Sequence, residues 1–512
     1  MTNKIKDLFT KAFIAFVFFF MFLILGIKIA INNAFGCVTI GAIAVILQFP
    51  LTGTNSNTVY SLLLNSLLYT FMFFVPIILS CYWKPHHSII LVVKDKTKIT
   101  LLPVKQRVIA FISLLLVVVC CFSTIKEFCL TINHYNRPNE LLRNFYTSPK
   151  SVKLSFPQKK RNLIFIVVES LESTFFQKIH DGAMDKDVIP ELYNLANDNI
   201  CFSVNENCLG MKPTRDHWTI AAIVAQTSGV PFVIPWKGNN YFAKVKFLPG
   251  ITNIFDILHV NGYKQAFICG SDVRFAGRDN YLKTHHVDFI YDLGTARKEH
   301  FIPTDYHDGF WGMEDKKMFE FAKKKLTEIS NFSSPFACTI LTVDTHFPEG
   351  NFRENCCKHQ FDENYLNVYA CTSRRINAFV EWLKTQPFYA NTTIVITGDH
   401  PTMCQGSVPK LVPKDYKRHI YNCFINSPIK PLKEKNRDFT LYDIFPTILA
   451  SLGCKIQGDR IALGTNLFSE KPTLYEELGE EVFWKKFGTG NSHDYNELFL
   501  LNLHKKQTQY GK

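Results

Sequence analysis

Three positions in this chain put an acid or an imidazole directly behind a short run of strand-forming residues. Glu169 follows LIFIVV (163–168), Asp344-Thr345-His346 follows FACTILTV (336–343), and Gly398-Asp399-His400 follows TIVIT (393–397). Carboxylates and imidazoles bind divalent metals and move protons. One such residue at a strand end is an ordinary loop residue, whereas three gathered at the same edge of a sheet make a functional set. Glu, Asp and His offer mixed oxygen and nitrogen donors, which suit zinc or manganese better than calcium and leave a fourth position to fill. Thr219, within RDHWTIAAIVAQTSGVPF (215–232), fits that position. TIAAIVAQ reads as a helix beginning at Thr219, so the hydroxyl sits where free N–H groups and the helix dipole favour an anion such as phosphate. A threonine hydroxyl is a poor nucleophile alone, and a bound metal is the usual remedy. As a plain helix cap, Thr219 would need none of this.

The elements that must position these residues are equally visible. QAFICG (265–270) and YNCFIN (421–426) add two further short apolar runs, and helical patterns separate all five. That alternation predicts an α/β sheet with helices on both faces. In such sheets the active site forms beyond the carboxyl ends of the strands, which is where the acids and imidazoles lie.

Ahead of this domain the chain changes character. Three long apolar stretches, 13–31, 58–83 and 108–125, each reach the roughly 20 residues that cross a bilayer as a helix. A shorter one, 36–51, and the run SIILVV (88–93) leave the number of crossings open. The first stretch is too long an apolar run, and has no clean small-residue site after it, for a cleaved leader. Lys4, Lys6 and Lys11, and the group Lys84, Lys94, Lys96, Lys98, Lys105 and Arg107, mark cytoplasmic segments. Everything after residue 126 is then expected outside, behind three or five crossings. The expected organisation is a transmembrane helical domain over 1–125, a polar juxtamembrane linker over 126–160 and a folded domain over 161–512.

The net charge of +13 is spread along the chain, with no arginine-rich tract or zinc-knuckle spacing, so nucleic acid is excluded as a partner and an anionic membrane surface is expected instead. Of the 15 Cys, five (Cys37, Cys81, Cys120, Cys121, Cys129) fall in or beside the apolar region and read as small buried hydrophobes. The other ten lie in the outer domain, where oxidation is expected. Cys201 with Cys208, and Cys356 or Cys357 with Cys371, are the candidate pairs.

The motifs LIFIVVESLESTFF, WTIAAIVAQTSGVPF, VRFAGRDNYL, DGFWGMEDKKMF, LTVDTHFPEG, ITGDHP and LYDIFPTILASLG, in this order and spacing over roughly 140–470, resemble the membrane-bound phosphoglycerol transferases of the alkaline phosphatase and sulfatase superfamily. The likeness is greatest to the type that decorates periplasmic glucans, and it extends to lipoteichoic acid synthase and the phosphoethanolamine transferases of lipid A. It implies an alkaline phosphatase/sulfatase-like α/β/α domain with a mixed central sheet, held in the periplasm by N-terminal transmembrane helices in the bacterial inner membrane. Carried over onto this sequence, the family's metal site is Glu169, Thr219, Asp399 and His400, with Thr219 as the nucleophile that becomes phosphorylated. Arg278 and His346 match positions that contact the phosphoryl group or act near the reacting oxygens, as a planar guanidinium fork and a proton carrier can.

The resemblance implies transfer of phosphoglycerol from phosphatidylglycerol to a periplasmic or cell-surface glycan hydroxyl. Phosphoethanolamine transfer from phosphatidylethanolamine to lipopolysaccharide is the alternative. Phosphoester or sulfate ester hydrolysis ranks lower. MKPTR (211–215) has the Pro and Arg of a C/S-x-P-x-R sulfatase signature but Met211 where the nucleophile belongs. A binding protein on a decayed enzyme fold would be expected to have lost one of the four metal residues, and all four are present.

Overall fold

In the computed structural model, residues 3–35, 56–82, 90–93, 97–100, 115, 122, 126, 129, 139–214, 218–233, 246–306, 310–355, 357–404, 408–488 and 493–499 are described. They divide into two compact units, one before residue 134 and one from there on. The first contains helix α1 (Asn3–Phe35) and helix α2 (Ser56–Tyr82). They pack through phenylalanines, Phe19 against Phe71 and Phe74, and Phe22 against Phe73. Gly26 allows the close approach, because a Cβ there would fall 2.5 Å from the carbonyl oxygen of Ser66. Ser56–Val75 is long and apolar enough to cross a membrane. The apolar stretch 36–51, and 108–125 apart from positions 115 and 122, lie outside the described residues. Within SIILVV, Ile90–Val93 is a strand paired antiparallel with Thr97–Thr100.

The second unit is built on a six-stranded sheet of β1 (Asn162–Val168), β2 (Lys264–Cys269), β3 (Phe289–Tyr291), β4 (Phe336–Leu341), β5 (Thr392–Gly398) and β6 (Asn422–Ile425). The order is β3-β2-β4-β1-β5-β6. Every neighbouring pair is parallel except the last, where β6 runs antiparallel at the edge, so the sheet is mixed. Strand β1 is buried along its whole length, as a continuous apolar run with helices on both faces requires. Its odd residues Leu163, Phe165 and Val167 join one core with helix α4 (Thr219–Ser228) and helix α7 (Leu441–Ser451). Its even residues Ile164, Ile166 and Val168 join the other with helices α3 (Pro190–Asp198), α5 (Asp315–Ser330) and α6 (Asn364–Lys384). This is a three-layer α/β/α sandwich, the period-two alternation of one strand feeding two cores.

All five apolar runs form strands. Strand β3 is the addition: three half-buried residues on the far edge. Residues 139–160, read from the sequence as part of a linker, also belong to this unit. Leu141 and Leu142 are buried, Leu154–Ser155 pairs with Lys455–Ile456, and Thr147 bridges Ala462. Cys357 and Cys371 are joined in a disulfide, while Cys201 and Cys208 are free thiols.

Candidate active site

The register of the sheet brings two of the acids together before any side chain is considered. Val168 and Gly398 are direct neighbours across β1 and β5, so Glu169 and Asp399 leave the sheet side by side. Gly398 is required there, because a Cβ would fall 1.9 Å from the carbonyl oxygen of Leu171. Glu169, Asp399 and His400 are all buried, with ligating atoms within 4.8 Å of one another. Asp399 uses Oδ1 to accept the backbone N–H groups of Ser170 and His400, both at 2.7 Å. The His400 ring donates from Nδ1 to the carbonyl of Pro401 at 3.0 Å, which turns Nε2 and its lone pair inward. Nε2 then lies 3.4 Å from Asp399 Oδ2 and 3.5 Å from Glu169 Oε1.

Thr219 completes the group. It is the first residue of α4, behind Trp218, and its hydroxyl donates to Glu169 Oε2 at 2.9 Å. Two turns further on, Gln226 fixes the helix to the sheet. Its Nε2 donates to the carbonyl of Gly398 at 2.8 Å and its Oε1 accepts from Thr397 Oγ1 at 2.6 Å. The helix that carries the hydroxyl is thus fastened to the strand that carries Asp399.

Two buried polar atoms at the centre, Asp399 Oδ2 and His400 Nε2, have no hydrogen-bond partner. Such atoms cost free energy unless something binds them. Both are lone-pair donors converging on one point with Glu169, so the donor set fits a divalent cation. The electrostatics agree. Burial, with the nearby Glu169 carboxylate adding to it, pushes Asp399 up to about 7. Burial works against a charged His400, but the Asp399 and Glu169 carboxylates outweigh it and raise its pKa. Burial likewise opposes ionised Glu169, yet His346, His400 and the hydroxyls of Ser170 and Thr219 hold its pKa below the ordinary value.

His346 follows β4 and is buried, its Nδ1 donating to the carbonyl of Phe347 at 3.0 Å and its ring 4.3 Å from that of Trp311. Burial lowers its pKa, and with Nδ1 turned to a carbonyl Nε2 is the ring nitrogen left to take a proton. The Glu169 carboxylate and the Arg278 guanidinium both act on it electrostatically. Arg278, at the start of Arg278–Thr284, is buried and committed to the loop behind β2. Its Nη2 donates to Ser271 Oγ (2.9 Å) and the Asp272 carbonyl (2.8 Å), and its Nε to the Phe275 carbonyl (3.2 Å). Asp344, which also follows β4, stands apart from the cluster: it pairs with Arg375 and accepts from Asn351 and the backbone N–H of Asp315.

Several supporting residues were not singled out from the sequence. Thr345 Oγ1 donates to the carbonyl of Glu169. Tyr369 donates to the Ser170 carbonyl at 2.6 Å, and Tyr365 to the Thr345 carbonyl at 2.9 Å while touching Thr402 Oγ1. These two tyrosines, one turn apart on α6, link the loops behind β1, β4 and β5. Glu172 is buried against Arg418 and accepts the Thr402 N–H at 2.8 Å. The i, i+4 spacing of Tyr365 and Tyr369 was the one available signal, and it specifies only a common helix face.

Side chains able to hold a cation beneath a helix-borne hydroxyl, at the carboxyl ends of a mixed sheet, fit the class of α/β proteins that hold an anion against a cation. The sulfatase family profile matches residues 161–454, more than half of the chain, and the chain belongs to that family. Phosphoglycerol transferase I of Escherichia coli (strain 55989 / EAEC) is 31% identical over 295 residues, 57% of this chain and 36% of that protein. The matched region thus spans little more than a third of these curated relatives. Among solved structures, the integral membrane protein lipooligosaccharide phosphoethanolamine transferase A of Neisseria meningitidis is 11% identical with a TM-score of 0.49, over 87% of this chain and 84% of that one. The lipoteichoic acid synthase LtaP of Listeria monocytogenes is 19% identical with a TM-score of 0.46, over 62% and 79%.

Proposed function

We propose that this protein transfers a phosphoglycerol group from phosphatidylglycerol to a hydroxyl of a periplasmic or cell-surface glycan, through a phosphorylated Thr219. The observation that carries the reading is the Thr219 hydroxyl, at a helix N-terminus and 2.9 Å from Glu169, beside two lone-pair atoms without partners. The relatives named phosphoglycerol transferase I support the choice of group. The apolar helix segment Ser56–Val75 and the lysine pattern support an inner-membrane protein with its catalytic unit in the periplasm, where a bilayer donor is within reach.

Glu169, Asp399, His400 and Thr219 Oγ1 would hold a divalent ion, zinc or manganese by the donor types. When bound it supplies Lewis acidity, which lowers the hydroxyl pKa and offsets phosphate charge. Thr219 Oγ forms a bond to phosphorus as the bond to the diacylglycerol oxygen breaks, and the threonine proton ends on diacylglycerol. In the second half the acceptor oxygen bonds to phosphorus, the Thr219 Oγ–P bond breaks, and the acceptor's proton returns the threonine to its hydroxyl form. His346, its pKa lowered by burial and its Nδ1 turned to a carbonyl, is suited to take that proton first on Nε2. Arg278, held in the loop behind β2, adds positive charge on the phosphate side.

The test is the intact mass of the full chain after exposure to phosphatidylglycerol or phosphatidylethanolamine, beside Thr219→Ala. A phosphoglycerol adduct present in the native chain and absent from the variant is expected. A phosphoethanolamine adduct would move the donor and keep the mechanism. No adduct with either lipid, from metal-loaded folded protein, would overturn the role of Thr219.

A further inference from the structure

Away from this site, the segment behind α3 brings two thiols and an ammonium group together. Lys435 Nζ lies 3.2 Å from Cys208 Sγ and donates to the carbonyl of Cys201 at 3.0 Å. The neighbouring Glu434 accepts the Cys201 N–H at 2.9 Å, which fixes the strap over the pair. The Cys201 thiol is fully buried beside Cys208 and donates to the carbonyl of Phe202 at 3.8 Å. The neighbouring Cys201 thiol, followed by Lys435, outweighs burial and draws the Cys208 thiol down to about 7, whereas burial drives Cys201 well up. Burial alone governs Cys338 and chiefly governs Cys269 and Cys423, and all three are pushed upward. A thiolate with a cation beside it and a second thiol in contact is the arrangement for thiol–disulfide exchange.

We infer that Cys201 and Cys208 are a redox-active dithiol, with Cys208 as the attacking thiolate, Lys435 as its counter-ion and Cys201 as the resolving thiol. The co-reactant is a low-molecular-weight disulfide. Cys208 sulfur bonds to one sulfur of that disulfide, whose S–S bond breaks and releases one thiolate. Cys201 then gives up its proton, and its sulfur displaces the second thiolate to close a Cys201–Cys208 bond. Two protein thiols are oxidised and one disulfide is reduced to two thiols. Closure removes the negative charge that Lys435 faces, so this ammonium favours the reduced form. The inference is independent of the transferase reading.

The experiment uses the full-length protein in detergent, with peptide masses as the readout. After mild reduction, iodoacetamide at pH 7 should modify Cys208 at least about tenfold faster than Cys269, Cys338 and Cys423. Lys435→Met should slow Cys208 about threefold or more and leave the other three unchanged. Oxidised glutathione should yield an internal Cys201–Cys208 disulfide that reduced glutathione reopens. Cys201→Ser should stop at a Cys208–glutathione mixed disulfide. Cys208 reacting no faster than the other three, a Cys208–Cys423 link, or a Cys201–Cys208 disulfide that reduced glutathione does not reopen would overturn the inference.

Discussion

Tyr365 and Tyr369 offer the sharpest test of how the site is held. Their rings are 5.1 Å apart and their hydroxyls 3.4 Å apart, both side chains fully buried. Tyr369 supports Ser170, a non-glycine residue at φ 53°, whose N–H is also held by Asp399. Such a left-handed residue persists only when its surroundings over-determine it. Tyr369→Phe keeps the ring stacked on Phe175 at 3.9 Å and opens no cavity. It deprives the Ser170 carbonyl of its donor, at a cost of about 1–3 kcal/mol. Tyr365→Phe removes contacts to both Thr345 and Thr402, and about 2–4 kcal/mol is expected. Because the two hydroxyls touch, the double variant should cost less than the sum. Unfolding of the purified full-length protein in urea reports the stability loss, and competition with a metallochromic chelator reports ion affinity, expected to fall about 10- to 100-fold as for other groups that orient ligands. A loss below about 0.5 kcal/mol in both single variants, with ion affinity unchanged, would refute the reasoning, since the loops would then be set by the backbone alone.

Two further outcomes follow from the same geometry. Gly398→Ala places a Cβ 1.9 Å from the Leu171 carbonyl oxygen, backbone that cannot yield without moving the loop behind β1 that carries Glu169, so ion content and folded yield should both collapse; a soluble, ion-loaded variant would contradict this. Ion binding should weaken as the solution is acidified, because burial and then Glu169 hold Asp399 up to about 7 and the ion takes the carboxylate form. Below pH 7 this group alone lowers affinity by up to about tenfold per pH unit, with a plateau above it, and an affinity constant between pH 5.5 and 8 would exclude the assignment.

What was legible in the sequence and what was not divides along a physical line. The candidate ligands stand covalently next to strands. A fully buried parallel strand is an unbroken apolar run, and its carboxyl end must turn into a loop, so Glu169 and Asp399 could be placed without a structure. The same logic located Asp344 at a strand end but not its direction, which Arg375 and the N–H of Asp315 decide from two helices distant in sequence. Strand β3 escaped because three half-buried residues carry no period. The segment 139–160 read as a linker because its pairing partners, Lys455–Ile456 and Ala462, lie some 300 positions away and leave no local trace. Likewise, the i, i+4 spacing of Tyr365 and Tyr369 puts them on one face of α6, while the carbonyls their hydroxyls reach are fixed by topology alone. Gln226 shows the consequence for chemistry: Thr219 is recognisable from its place at a helix start, yet its distance from Asp399 depends on an amide two turns on that reads as one more polar residue in a small-residue helix.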